Sequence, residues 1–253
     1  MTRSIPSHIR YWLHGALDLL AVPEGCVMCG DVMTDAWLCD TCMAAFTPIE
    51  AFCERCGKPF THSPCPSCSN WDAGMIPVRS AVVYDDAAKT CVYGLKFYEH
   101  LAYGQAMAQL IERQWDHLGL PRQDVTLVPV PLHRRRLSKR QFNQSWVLCT
   151  LLERDGYGTA YNCLVRTRNT ESQVGKSITQ RWDNMLGAFR MKRRAVLSGT
   201  VLLVDDVHTT GATLQHCGII LQLGGATNVT GLTFAATEAS GRKKDTVPDR
   251  KMD

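Results

Sequence analysis

Residues 200–214 read Thr-Val-Leu-Leu-Val-Asp-Asp-Val-His-Thr-Thr-Gly-Ala-Thr-Leu, an order of residue types that few folds accommodate. Val201 to Val204 is wholly apolar and rich in β-branched side chains, which suits a strand buried on both faces of a parallel sheet. Asp205 and Asp206 stand at its carboxyl end, and the small, hydroxyl-bearing run Thr209, Thr210, Gly211, Ala212, Thr213 follows. A helical pattern then runs from Leu214 to the Gly224-Gly225 stop. In open α/β sheets, ligands bind at the carboxyl ends of strands. A loop of backbone N–H groups leading into a helix N-terminus is an anion site. Gly211 lets the backbone come close to a ligand, and the threonines add hydroxyls. Paired carboxylates accept from neutral hydroxyls and so suit a ribose, while the loop suits its 5-phosphate.

The second strong signal is cysteine. Eight of the 12 cysteines lie between positions 26 and 68 as four C-x-x-C pairs: Cys26/Cys29, Cys39/Cys42, Cys53/Cys56 and Cys65/Cys68. Adjacent pairs in a chain without a recognisable secretory signal read as metal ligands rather than as a disulfide framework. The unit C-x-x-C-Gly, spacer, C-x-x-C occurs twice, with Gly30 and Gly57 at knuckle turns. Two structural zinc (Zn) ions with four thiolates each are expected, on Cys26, Cys29, Cys39 and Cys42 and on Cys53, Cys56, Cys65 and Cys68. A cross-braced pairing stays open at this level. Cys91, Cys149, Cys163 and Cys217 fall in apolar segments and read as buried thiols of a reducing cytoplasm.

The rest of the chain divides around these two stretches. Ile9, Trp12, Leu13, Ala16, Leu17 and Leu20 give residues 1–22 a one-sided helical pattern, interrupted by His14 and Asp18 in a way that a secretory signal would not be. No run approaches the roughly 18 apolar residues of a transmembrane helix. Residues 23–72 form the cysteine module, and 73–120 a connecting segment with a strand at Val78–Tyr84 and helices at Asp86–Phe97 and Leu101–Leu118. A main domain over 121–238 follows, then a basic tail over 239–253 with the composition of a disordered segment. Within the main domain, a strand over 124–131 delivers the turn Leu132, His133, Arg134, Arg135, Arg136, followed by Lys139 and Arg140. Arginine forks match phosphate oxygens, so a pyrophosphate would meet the chain at this turn. Asn143 is placed to cap a helix through Leu152. Gly175-Lys176-Ser177 fails as a P-loop, because Thr170 stands where the first glycine belongs, and a nucleoside triphosphatase is excluded on that ground.

Val201–Thr213 resembles the phosphoribosyl pyrophosphate (PRPP) motif of type I phosphoribosyltransferases. His208 departs from it, where most members carry an aliphatic residue, and reads as a loop substitution rather than a catalytic group. A narrower resemblance covers most of the chain. Val128-Pro129-Val130-Pro131-Leu132, Arg136, Arg140-Gln141-Phe142-Asn143-Gln144, Thr170-x-Ser172-Gln173 and Arg181-x-x-Asn184-x-x-Gly187-Ala188-Phe189 are similar to the ComF/GntX family, of which an amino-terminal cysteine module is also typical. Gln141 replaces the usual glycine of that family. The resemblance implies an α/β fold: a type I phosphoribosyltransferase-like parallel sheet flanked by helices, preceded by a small double zinc ribbon. It further implies a role in natural transformation, with single-stranded DNA handled in the cytoplasm.

Three functions follow as expectations. In the first, PRPP binds as its magnesium (Mg) complex. Asp205 and Asp206 are then the catalytic and ribose-binding acids, Thr209–Thr213 hold the 5-phosphate, Leu132–Arg136 meet the pyrophosphate, and residues 166–184 form a cover. In the second, Arg140, Lys192, Arg193 and Arg194 belong to a surface for single-stranded DNA, and the sugar-phosphate site is regulatory or vestigial. In the third, the ribbons tie the chain to other competence proteins. A net charge of +4 is too mild to decide among these.

Overall fold

The computed structural model describes residues 25–32, 36–60, 64–69, 71, 72, 74–97, 100–154, 157–160, 162–168, 187–192, 197 and 199–239. The expected helix over 1–22, the segment 170–184 and the tail from 240 onward lie outside the described residues. In chain order the elements are α1 (Asp40–Ala44), β1 (Val78–Val83), α2 (Asp86–Phe97), α3 (Leu101–Gln114), β2 (Val125–Pro129) and α4 (Arg134–Arg140). They continue with α5 (Gln144–Leu152), β3 (Tyr157–Thr159), β4 (Leu164–Arg166), β5 (Phe189–Met191), β6 (Thr200–His208), α6 (Ala212–Leu223) and β7 (Asn228–Ala236). No helix among the described residues is long and apolar enough to cross a membrane.

Five strands pair in parallel in the order β1-β7-β6-β2-β3, and β4 with β5 form a separate antiparallel ribbon. The apolar β6 is in the middle, with Val204 opposite Pro129 of β2 on one side and Leu232 of β7 on the other. Alternation sends Leu202 and Val204 into one layer with Met107, Ile111, Leu148 and Leu152. Val201 and Leu203 enter the opposite layer with Leu214, Cys217 and Leu221 of α6. Both faces are therefore covered, as the uninterrupted hydrophobicity of 201–204 requires. From β2 the chain moves outward to β3, returns to β6 and moves the other way to β7. Connections leave β2 and β6 in opposite directions, so a crevice opens at their carboxyl ends.

Three local features differ from the sequence expectation. Strand β6 continues past Val204 to His208, because β7 is long enough to pair Asp205 with Thr233 and His208 with Ala236. Helix α3 stops at Gln114 rather than near Leu118, and the chain leaves through a turn at Gly119, φ 63°. The basic turn is largely helical: the His133 imidazole caps α4 by accepting from the Arg135 N–H at 3.3 Å. That helix ends with Gln141 in the left-handed region, φ 62°, where a glycine would sit without steric cost. Asn143 caps α5 as expected, accepting from the Ser145 N–H at 3.1 Å.

The cysteine module packs on this sheet. Residues 47–49 run along the outer edge of β1, with Ile49 N–H donating to Ala81 at 3.1 Å and Val83 N–H to Thr47 at 2.8 Å, which closes an edge that would otherwise be open. Gly57 (φ 65°) lies so close to β1 that a Cβ there would overlap the Val78 carbonyl. Beyond the second ribbon, Ile76 is clamped to α6 by the fully buried Gln215. Its Oε1 accepts from the Ile76 N–H and its Nε2 donates to the Ile76 carbonyl, both at 2.8 Å. Replacing Gln215 with Leu would strand both backbone groups in an apolar layer. Each buried unsatisfied group costs about 1–3 kcal/mol, so Gln215→Leu is expected to lower unfolding stability by about 2–6 kcal/mol in urea denaturation.

Candidate functional site

The two acids at the end of β6 sit in different surroundings. The Asp205 carboxylate accepts from Ser145 Oγ of α5 at 2.9 Å and from the Asp206 N–H at 3.0 Å, both on Oδ1. Burial, and then the neighbouring Asp206 charge, push its pKa up to about 7, although the Ser145 hydrogen bond pulls the other way. Asp206 is buried and ion-paired, with its Oδ2 2.7 Å from Lys96 Nζ at the end of α2 and its Oδ1 accepting from the Val207 N–H at 2.8 Å. Burial opposes the Lys96 charge, but the Asp206 carboxylate outweighs it and raises the ammonium's pKa. Ser145 and Lys96 are distant in sequence from the acids, and no motif flagged either one. The fold alone joins them to the site.

The loop after β6 turns through Gly211, which has φ 80° and serves as N-cap of α6. A left-handed turn favours glycine, and here packing requires it as well. A Cβ on Gly211 would lie 2.7 Å from Trp71 Cζ2 and 3.0 Å from His208 Nε2. Thr209, Thr210 and Thr213 flank the turn half-buried, Ala212 is buried, and the Thr210 hydroxyl is 3.5 Å from the Ala212 N–H. The first N–H groups of α6 have no intrahelical carbonyl to bond, and its dipole adds partial positive charge. His208 does not reach this surface. It is 1% exposed, packed at 6.4 Å from the Trp71 ring, and neither ring nitrogen has a hydrogen-bond partner among the described residues. Burial and the Lys58 charge press its pKa down to about 3, so it is a neutral ring beneath the loop.

Across the crevice the turn after β2 supplies cations. Leu132 and His133 are half-buried, Arg134, Arg135 and Lys139 are exposed, and Arg136 and Arg140 turn partly inward. Burial and the nearby Arg140 charge lower the pKa of Arg136. Arg166, at the end of β4, is buried over the Phe189 ring at 5.2 Å. Its pKa falls to about 10, through burial first and Arg136 second, with Asp205 partly offsetting both. Guanidinium groups crowded in this way, Arg140 acting on Arg136 and Arg136 on Arg166, gain from an intervening anion. Lys192 stands on the β4–β5 ribbon instead, with Nζ 3.4 Å from Asn162 Oδ1. Arg193 and Arg194 lie outside the described residues.

The eight cysteines close into two groups in chain order, Cys26, Cys29, Cys39, Cys42 and Cys53, Cys56, Cys65, Cys68, with all four sulfurs of each within 4.8 Å of one another. This settles the pairing against a cross-braced alternative. Sulfur separations of 3.7 Å for Cys29–Cys39, 3.5 Å for Cys53–Cys68 and 3.7 Å for Cys56–Cys65 match a thiolate tetrahedron around zinc, whose edge is about 3.8 Å. Four thiolates leave no open position, so both centres suit structural zinc.

Residues 16–71 match the family model of a double zinc ribbon domain. Over 222 residues the chain is 30% identical to the DNA utilization protein YhgH of Escherichia coli O157:H7, covering 83% of this chain and 96% of that one. It is 28% identical over 209 residues to the competence protein ComFC of Bacillus subtilis strain 168, covering 79% and 84%. The ComFC of Streptococcus pneumoniae is 26% identical over 221 residues, covering 81% and 96%.

The Asp205 environment makes a signed prediction. Between about pH 4 and pH 7 the native carboxyl keeps a proton that the unfolded chain has released, so its contribution to stability falls as pH rises through that window. Asp205→Asn should therefore be more stable than the parent at pH 8, by on the order of 1 kcal/mol, and the gap should close towards pH 4 in paired denaturant titrations. Metal analysis should find two zinc ions per chain. A chelator should remove them in two phases, the faster from the first centre, whose Cys29 is exposed while the second centre holds Cys56, Cys65 and Cys68 buried.

Proposed function

The chain belongs to the ComF family, and from that premise we propose that it binds PRPP at the β6–α6 stretch and serves DNA uptake in natural transformation, handling single-stranded DNA in the cytoplasm. The observation that carries this reading is the carboxylate pair at the crevice, between an anion-binding helix N-terminus and a cluster of guanidinium groups. Asp205 and Asp206 would take the ribose hydroxyls. Residues 209–213 would take the 5-phosphate through backbone N–H groups and hydroxyls. The 132–136 turn, with Arg136 inward, would face the pyrophosphate. Magnesium would arrive with the diphosphate, and the carboxylate oxygens suit so hard a cation. Transfer of the phosphoribosyl group would build positive charge at the anomeric carbon, which these carboxylates are placed to stabilise.

The names of the relatives, DNA utilization and competence, support the DNA side. So does the exposed face of α4, where Arg134, Arg135 and Lys139 stand free of the sheet. That same face favours a second reading: a single-stranded nucleic-acid-binding factor whose PRPP site regulates rather than turns over. A cytoplasmic place suits the thiolate centres, which need a reducing compartment. The zinc ribbons offer surface for other competence proteins.

Calorimetric titration of the zinc-loaded chain with PRPP and magnesium tests the first reading. The parent should bind, and Asp205→Asn/Asp206→Asn should lose at least about tenfold in affinity, the size expected when charge-assisted hydrogen bonds are removed. Equal binding by both would refute the assignment of the acids. For the DNA surface, affinity for single-stranded DNA should fall steeply with salt, with a slope reduced by about 0.7 for each of Arg134 and Arg135 replaced by Gln. A flat salt response would remove α4 from the interface.

A further inference from the structure

The second cysteine module reaches the back of the 209–213 loop through a chain of hydrogen bonds. Lys58, on the knuckle that follows Cys56, is 3% exposed. Lysine is seldom buried so deeply unless its ammonium is partnered. Its Nζ donates to Thr237 Oγ1 at 3.0 Å and to the Glu238 carbonyl at 3.4 Å. Thr237, just past β7, donates its N–H to the His208 carbonyl at 3.0 Å and its hydroxyl to the Thr209 carbonyl at 3.5 Å. From the same module, Trp71 fills the space under Gly211 beside His208. Arg55 holds Trp71 there, its guanidinium donating to the Trp71 carbonyl at 2.6 Å.

The direction of these bonds matters. A trans peptide points its N–H opposite to its C=O. A Thr209 carbonyl drawn back towards Thr237 therefore aims the Thr210 N–H away from it, on the side from which an anion approaches. The ammonium polarises the Thr237 hydroxyl and strengthens the bond it donates. Pre-aimed donors cost no reorganisation when the anion arrives.

We propose that Lys58 is a positioning residue for the anion loop: through Thr237 it fixes the 209–210 peptide, so the second zinc ribbon sets the geometry of the site it backs. Among the described residues the first ribbon has no such path and packs on α2 and α3 instead, with Cys26 and Leu38 in the layer that holds Leu95 and Met107. This inference rests on the PRPP reading only for the identity of the anion; the coupling itself does not depend on it.

The test compares the zinc-loaded full chain with Lys58→Met, Thr237→Val and Thr237→Ser. Thr237→Val removes the relay hydroxyl while keeping Lys58 and the Thr237 backbone bond. Thr237→Ser restores the hydroxyl. Hydrogen exchange at residues 209–213 is read alongside zinc content, melting temperature and calorimetric PRPP affinity. Lys58→Met and Thr237→Val should each speed exchange in the loop by about tenfold and weaken PRPP by about tenfold, while zinc content and melting temperature stay near the parent's and Thr237→Ser behaves as the parent. Loop exchange unchanged in both Lys58→Met and Thr237→Val overturns the coupling, whatever the affinities. Faster loop exchange in a protein that never binds PRPP upholds the coupling and overturns only the choice of ligand.

Discussion

Pairing of β6 on both edges is the constraint from which the site follows. A central parallel strand presents its carboxyl end between connections that leave in opposite directions, and β6 ends there with two acids. Because β7 keeps pairing as far as His208, the acids are held by ladder hydrogen bonds rather than by a loop. Their carboxylates are fixed to within the tolerance of a sheet. The cost is desolvation, visible in the raised pKa of Asp205, and the surroundings offset it unevenly. Asp206 is met by the Lys96 ammonium at 2.7 Å, whereas Asp205 is met by a neutral hydroxyl. Among the described residues Asp205 has no ion pair of its own, only the Ser145 hydroxyl and the Asp206 N–H.

The opposite wall carries the opposite imbalance. Arg136 and Arg166 are each held below their ordinary pKa by burial and by neighbouring cations. Among the described residues, crowded guanidinium groups stand near a carboxylate with no cation in hydrogen-bond contact, which divides the charge of the crevice.

The cysteine modules take part in this arrangement rather than standing apart from it. One ribbon joins the layer of α2 and α3, whose last turn delivers Lys96 to the acids. The other backs the 209–213 loop through Lys58 and Trp71, and α6 through the Gln215 clamp on Ile76. A segment too short to form its own apolar core can be stapled by metal, and this one also packs on the sheet domain.

Residues close in sequence were readable before the fold was known. The strand, the paired acids, the glycine turn and the helix after it all lie within Thr200–Leu214, and each is dictated by local pattern, so their order alone placed two acids and a glycine turn at a strand end. The C-x-x-C pairs were equally legible, since ligand spacing is a local property, although which pairs come together needed the tertiary structure. The extension of β6 to His208 was not readable, because a strand's length is set by its partner. The helical form of the basic turn escaped for a similar reason: a run of like charges reads as a solvated loop until its cap and neighbours are known. Lys96, Ser145 and Lys58 carry no motif, and their roles arise from contacts that link separate elements. The sequence by itself determined the chemistry available, because residue type and short-range order are written in it. Only the tertiary structure decided which charges meet and which peptide each one holds, because those depend on distances that no local pattern encodes.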